Sequence, residues 1–136
     1  MDQAQIMKLL PHRDAMLLLD AVEVEGDLAK GQRLIREDDW FLRGHFPGNP
    51  VVPGVILCEI LAQSVCILLD DTQRAGKIPF FTGMDKVRFK NPVRPGDVFR
   101  TECRITKAKG VFVFAEGRGY VGENLCMQAE FSFALV

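Results

Sequence analysis

The sequence predicts an α+β fold in which one long buried helix is wrapped by a curved antiparallel sheet. Two observations predict this fold. Twelve of the fifteen residues between positions 55 and 69 are apolar, so a helix here would be apolar on nearly all sides and must be buried. The last third of the chain alternates apolar and polar residues with a period of two, which is typical of half-buried strands.

The C-terminal strands are predicted over residues 99–105, 111–120 and 125–135, and short turns join them into an antiparallel meander. One face of the last strand is apolar and carries Leu125, Met127, Ala129, Phe131, Phe133 and Leu135. Nearer the N-terminus, residues 16–24 and 28–36 are predicted as two strands around a turn at Gly26-Asp27. A short helix over residues 3–10 precedes them.

The bulk properties fit a single domain over residues 1–136. The formal net charge of −1 argues against a nucleic-acid or membrane partner. The first ten residues do not resemble a signal peptide, so a cytoplasmic location is expected. The four cysteines have neither CxxC nor zinc-ligand spacing, and we expect reduced, buried thiols.

The segment from Gly44 to Gly54 carries the densest functional signal. Three prolines and three glycines in eleven residues predict a stiff loop, which holds His45 and leads directly into the buried helix. The N-terminus of a helix presents free N–H groups and a positive dipole end, which stabilise negative charge on a carbonyl oxygen. Gly54 would let such an oxygen approach closely.

Glu59 lies on the second turn of the predicted helix among apolar residues. Burial disfavours an ionised carboxylate, so Glu59 is a candidate proton donor. Gln63, at i+4 on the same face, can hydrogen-bond and orient this carboxyl group. A lone histidine in a loop or a lone glutamate on a helix is often structural. Together, a base and a buried acid beside a helix N-terminus fit proton abstraction next to a carbonyl.

At these residues the sequence resembles the beta-hydroxyacyl-acyl-carrier-protein dehydratases of the FabZ type, which have the hot-dog fold. The resemblance covers nearly the whole chain, and the run GHFPGNPVVPG leading to a glutamate is its most specific part. The other matching segments are Leu10 to Arg13, Leu17 to Asp20, Glu59 to Gln63, Met84 to Phe89 and Pro92 to Asp97.

The resemblance implies dehydration of (3R)-3-hydroxyacyl-acyl carrier protein to the trans-2-enoyl product in fatty acid biosynthesis. His45 and Glu59 would be the catalytic pair, contributed by different subunits of a homodimer, with three dimers forming a hexamer. His45 would take the proton from C2, Glu59 would protonate the departing C3 hydroxyl, and the Gly54 N–H would hold the thioester oxygen. No metal or organic cofactor is implied, and His12 would have a structural role.

Substrate contacts are expected from Gly54, Val55, Gln63 and Phe80. Phe80 falls where the family often has a tyrosine that guards the acyl tunnel; the alternative is a plain core aromatic.

A cationic segment is the candidate docking site for the acidic acyl carrier protein. Lys86, Arg88 and Lys90 would share one face of a strand, and Arg94 follows. The alternative is an ordinary solvated strand face.

Two other functions stay open. One is a different hot-dog acyl-thioester enzyme, a thioesterase or a dehydratase-isomerase. FabA-type dehydratase-isomerases carry Asp at the position of Glu59, which argues against isomerase activity. The other is a non-catalytic acyl-binding module, and the presence of both His45 and Glu59 argues against it.

Overall fold

The computed structural model describes all 136 residues. Its three α-helices and six strands occur in the order α1 (Gln3–Leu9), β1 (Ala21–Glu25), β2 (Leu28–Leu34), α2 (Gly54–Cys66), α3 (Asp71–Arg74), β3 (Pro79–Phe89), β4 (Val98–Lys109), β5 (Phe112–Val121) and β6 (Asn124–Leu135). Two short 3₁₀ turns lie at Asp14–Met16 and Trp40–Leu42. The predicted α+β class is confirmed.

All six strands form one antiparallel sheet with the spatial order β1-β2-β4-β5-β6-β3. The predicted meander is confirmed, because β4, β5 and β6 are neighbours in the sheet in chain order. β3 pairs with β6 and forms one edge of the sheet, and nearly all of its residues are exposed.

Helix α2 lies across the sheet and packs against β2, β4, β5 and β6. Ten of its thirteen residues are buried, so the predicted buried helix is confirmed, although it ends at Cys66 rather than at residue 69. Pro53 is its N-cap, and the Pro53 carbonyl accepts hydrogen bonds from the N–H groups of Ile56 and Leu57.

A chain of buried hydrogen bonds fastens α2 to the sheet. The Gly31 N–H donates to Oγ1 of Thr101 (2.9 Å), and Oγ1 of Thr101 lies 2.7 Å from Oγ of Ser64. The Ser64 hydroxyl donates to the Ile60 carbonyl (2.9 Å), so the Thr101 hydroxyl must donate to Ser64. Every member is satisfied, which removes the cost of burying these hydroxyls.

Glycines in the central strand β5 make room for the core. A Cβ on Gly119 would lie 2.1 Å from Cζ of Phe99, whose side chain is fully buried. A Cβ on Gly117 would lie 2.7 Å from Sγ of Cys103. These two positions therefore exclude side chains because of close packing.

The first predicted strand is wrong over its first half. Residues 17–19 are buried, as their apolar character requires, but the strand begins only at Ala21. The Leu18 N–H donates to the side-chain oxygen of Gln63 on α2 (2.9 Å) rather than to a neighbouring strand. This bond draws the segment away from the sheet and onto the helix.

The four cysteines are buried free thiols, as predicted. None of the three helices is both long and apolar enough to cross a membrane.

Gly119→Ala should destabilise the protein by about 1–3 kcal/mol, because the added methyl group has to displace the Phe99 ring. Gly83→Ala is the matched control, since a Cβ there meets only Oγ of Ser132, at an ordinary distance of 3.5 Å. Denaturant unfolding at one fixed protein concentration measures both variants. Equal stability of the two variants would show that Phe99 does not restrict position 119.

Candidate active site

The loop before α2 fixes the tautomer of His45. Nδ1 of His45 lies 3.0 Å from the carbonyl oxygen of Val51, and the Val51 N–H donates to the His45 carbonyl (2.8 Å). A carbonyl oxygen only accepts hydrogen bonds, so Nδ1 must carry the proton. In a neutral imidazole the other nitrogen, Nε2, is then the free base.

Two glycines with positive φ angles and one aromatic stacking contact shape the same loop. Gly44 and Gly48 have φ angles of +78° and +70°, which L side chains rarely adopt. The imidazole of His45 stacks on the ring of Phe46, with a centroid separation of 4.2 Å. The histidine is therefore held on a shaped loop and is half-buried.

The N-terminus of α2 offers two free donors. The backbone N–H groups of Gly54 and Val55 make no hydrogen bond in the chain, because they begin the helix and no helical carbonyl lies four residues before them. A Cβ on Gly54 would lie 2.7 Å from Cζ of Phe89, so a side chain at this position would have to displace the Phe89 ring. Val55 is 73% exposed. Two N–H groups at a positive helix end can hold a developing oxyanion.

Glu59 is held by Gln63, as its i+4 spacing predicts. The amide nitrogen of Gln63 donates to Oε2 of Glu59 (3.0 Å) and to the Met16 carbonyl (2.8 Å). The amide oxygen accepts from the Leu18 N–H, which fixes the orientation of the amide, since a backbone N–H only donates. Gln63 is fully buried, and all of these amide bonds are to the protein.

His12 also faces Glu59, a contact that the sequence did not predict. Its Nε2 lies 3.6 Å from Oε2 of Glu59, and its Nδ1 is buried without a hydrogen-bond partner. Burial lowers the pKa of His12 below its ordinary value; the charge of Glu59 opposes this effect and the charge of Arg13 adds to it. The motif Leu10 to Arg13 was the only signal, and it implied a structural role.

A small cavity of about 30 Å³ lies beside Glu59. It is lined by His12, Glu59, Ala62, Gln63, Cys66, Pro79, Phe81 and Phe133. This space suits a group the size of water but not an acyl chain. His45 does not line it.

Phe80 lies on the edge strand β3 and is 57% exposed, so it is not part of this chain's core. Its neighbour Phe81, rather than Phe80, lines the cavity beside Glu59.

The cationic segment departs from the regular strand that its alternation predicts. A β-bulge adds one residue between Asp85 and Arg88, and Lys86 has a φ angle of +50°. β3 ends at Phe89, so Lys90 lies outside the strand. The prediction of one unbroken alternation is therefore wrong. All four cations are exposed.

Two of the cations have partners that bear on docking. Nζ of Lys86 lies 3.5 Å from a carboxylate oxygen of Glu130. Arg94 donates to the side-chain oxygen of Asn49 (2.6 Å), within the loop that carries His45. Arg94 thus contributes to loop geometry whatever else it binds.

No group of three or more His, Cys, Asp or Glu side chains is placed to hold a metal ion.

Comparison with known proteins identifies the family. A family model described as the FabA-like domain matches residues 10–130. The 3-hydroxyacyl-acyl-carrier-protein dehydratase FabZ of Moorella thermoacetica is 46% identical over 138 residues, covering 99% of this chain and 96% of its own. The FabZ of Natranaerobius thermophilus is 41% identical, covering 99% of this chain and 97% of its own.

Solved structures share the fold. A chain of the dehydratase heterocomplex ApeI:P from Xenorhabdus doucetiae superposes with a TM-score of 0.82 at 19% identity, covering 96% of this chain and 90% of that chain. A probable thioesterase from Bartonella henselae gives a TM-score of 0.63 at 20% identity, covering 82% and 91%. The chain therefore has the predicted hot-dog fold, and it belongs to the FabA-like family as a FabZ-type 3-hydroxyacyl-acyl-carrier-protein dehydratase.

Proposed function

We propose that the chain catalyses dehydration of (3R)-3-hydroxyacyl-acyl carrier protein to the trans-2-enoyl thioester, with His45 as base and Glu59 as acid. The relatives named for this activity match almost the whole chain at 41–46% identity. The observation that carries the residue roles is the bond from His45 Nδ1 to the Val51 carbonyl, which leaves Nε2 free to accept a proton.

The reaction follows from three groups. Nε2 of His45 takes the proton from C2, next to the thioester carbonyl. Negative charge then develops on the thioester oxygen, and the free N–H groups at Gly54 and Val55 stabilise it. Glu59 gives its proton to the C3 hydroxyl, which leaves as water while the C2–C3 double bond forms. The electron pair of the C2–H bond becomes the double bond as the C3–O bond breaks. The step leaves His45 protonated and Glu59 ionised, so a proton returns from His45 to Glu59, directly or through water, before the next turnover, and no cofactor is required.

The site is completed by a second copy of the chain in this proposal. The cavity beside Glu59 is too small for an acyl group, and His45 does not line it. The edge strand β3 exposes the large apolar side chains of Phe80, Phe81, Met84 and Phe89, an arrangement typical of a surface that a partner covers. A homodimer would bring His45 of one chain to Glu59 of the other, and three dimers would form the hexamer.

Phe80 is the proposed gate of the acyl tunnel. Its exposure on β3, next to the cavity-lining Phe81, supports a position at the dimer surface where the tunnel would open.

A hydrolase is the second candidate, because chains of the same fold include a probable thioesterase. The two activities differ in product. A dehydratase converts a 3-hydroxyacyl thioester to a conjugated enoyl thioester, whose absorbance rises, whereas a thioesterase releases free thiol. An assay that follows both signals with purified protein tests the proposal. Release of thiol without enoyl product would contradict it.

His45→Ala and Glu59→Gln should each lower kcat by about 10²–10⁴-fold, because each removes one proton-transfer group. Enoyl-thioester absorbance measures the rate, and circular dichroism checks that the variants fold. The matched control is Glu123→Gln, an exposed glutamate in the turn between β5 and β6. Near-normal turnover by either folded active-site variant would contradict the assigned roles.

Mixing the two inactive variants should restore activity if each site uses two chains. Random exchange into dimers gives at most about one quarter of wild-type activity, since half of the dimers are mixed and each mixed dimer has one intact site. The control is each variant taken alone through the same subunit-exchange treatment. If subunit exchange is demonstrated and no activity returns, both residues act within one chain.

Carrier-protein docking can be tested on Arg88 and Lys90, which avoid the partners of Lys86 and Arg94. The double substitution Arg88→Glu and Lys90→Glu should raise KM for carrier-protein substrates while leaving activity on a small uncharged thioester nearly unchanged. Lys109→Glu, an exposed cation at the far end of β4, is the control. Equal losses on both substrates would rule out docking at this segment.

A further inference from the structure

His12 and Glu59 meet although 47 positions separate them in the sequence, and the cause is one buried amide. Gln63 binds the Leu18 N–H and the Met16 carbonyl, which fixes the segment that follows His12 against α2. Gln63 also donates its remaining amide proton to Oε2 of Glu59. Oε2 is therefore the oxygen that both Gln63 and His12 approach, and no protein group bonds Oε1.

The surroundings of His12 determine which nitrogen carries its proton. Nδ1 is buried without a partner, and a buried N–H without an acceptor is rare and costly. Nε2 faces a carboxyl oxygen, and two lone pairs facing each other would repel. The arrangement therefore favours a neutral imidazole with the proton on Nε2. Burial also lowers the pKa of His12, which agrees with a neutral ring.

No other charged group faces this pocket within the chain. Apart from His12, Glu59 and Gln63, the residues that line the cavity are apolar except for Cys66, and burial raises the pKa of the Cys66 thiol to about 12. Cys58, next to Glu59 in sequence, has its pKa raised to about 11 by the same cause. The positive charge of Arg13 acts on His12, but the Arg13 guanidinium donates its hydrogen bonds to the carbonyls of Met7, Leu10 and His12.

We propose that His12 is a positioning residue for the catalytic acid: its neutral Nε2–H, with the amide of Gln63, holds Oε2 of Glu59, so that Oε1 delivers the proton. At 3.6 Å the Nε2–Oε2 contact is longer than a hydrogen bond in the resting chain. When Glu59 loses its proton to the departing hydroxyl, the charge on the carboxylate strengthens the attraction and shortens the contact. The interaction is thus stronger late in the reaction than at its start, which is the condition for raising kcat.

Two substitutions separate positioning from packing. His12→Gln places an amide N–H near the position of Nε2 and cannot titrate, whereas His12→Phe keeps a ring but has no donor. His12→Phe should lower kcat about tenfold to hundredfold with little change in KM, the range for a hydrogen bond to a charged group. His12→Gln should recover most of that loss. Comparable losses in both variants, or loss of kcat that follows a fall in melting temperature, would overturn the proposal.

A spectroscopic measurement tests the tautomer without catalysis. The chain has only two histidines, so ¹⁵N spectra of the imidazoles of wild-type protein and of His12→Gln assign both. At pH 7, His12 should be neutral with the proton on Nε2. At pH 6.5, the ordinary pKa of histidine, more than half of the His12 rings should still be neutral, because burial lowers the pKa of this group. A charged ring at pH 7, or a proton on Nδ1, would overturn the proposal.

The kinetic test rests on the proposed function, and the two can fail separately. If wild-type protein forms no enoyl product, the dehydratase proposal fails, and the ¹⁵N tautomer alone decides how His12 meets Glu59. If wild-type protein is active and His12→Phe keeps the wild-type kcat, only the positioning role fails.

Discussion

The burial of helix α2 is the constraint on which the rest of the structure depends. A helix that is buried on nearly every side must satisfy each polar group that it carries. Ser64 does so through Thr101 and the Ile60 carbonyl, and Gln63 through the segment around Leu18. Glu59 is the exception, since its side chain stays 22% exposed and no protein group bonds Oε1. The polar group of α2 that lacks a full set of hydrogen-bond partners is therefore the proposed acid.

The same rule describes the other end of the site. Nδ1 of His45 donates to the Val51 carbonyl and Nε2 stays free, while the first two N–H groups of α2 have no acceptor in the chain. The proposed base, acid and oxyanion site are thus groups that keep at least one hydrogen-bonding position free for a substrate. The exposed apolar edge of β3 is open in the same sense, because it presents both unpaired backbone and large apolar side chains. A second chain completes both at once in the proposed assembly.

Sequence patterns predicted the elements whose burial alternates or is complete. The meander of β4, β5 and β6 and the helix α2 follow from such patterns and were found where expected. β3 gave a signal only near its C-terminal end, where Lys86 and Arg88 alternate with Val87 and Phe89, because most of its side chains are exposed in one chain. The departure of residues 17–19 from the sheet depends on a bond to Gln63 that lies 45 positions away, which no local pattern contains.

The candidate site was predictable in its residue types but not in its hydrogen-bond directions. The i+4 spacing of Glu59 and Gln63 predicted their contact. The tautomer of His45 and the approach of His12 to Glu59 depend on which backbone groups lie nearby in space. Those features depend on the three-dimensional fold, and they define which atoms of His45 and Glu59 would act in the proposed mechanism.

The most direct test of the account is a crystal structure of the purified assembly with an unreactive 3-hydroxyacyl analogue bound. We predict that Nε2 of His45 from one chain and Oε1 of Glu59 from another lie within about 3–3.5 Å of C2 and of the C3 hydroxyl. The analogue's carbonyl oxygen should meet the N–H groups at the start of α2. An analogue held by His45 and Glu59 of the same chain, or bound away from both, would contradict the account.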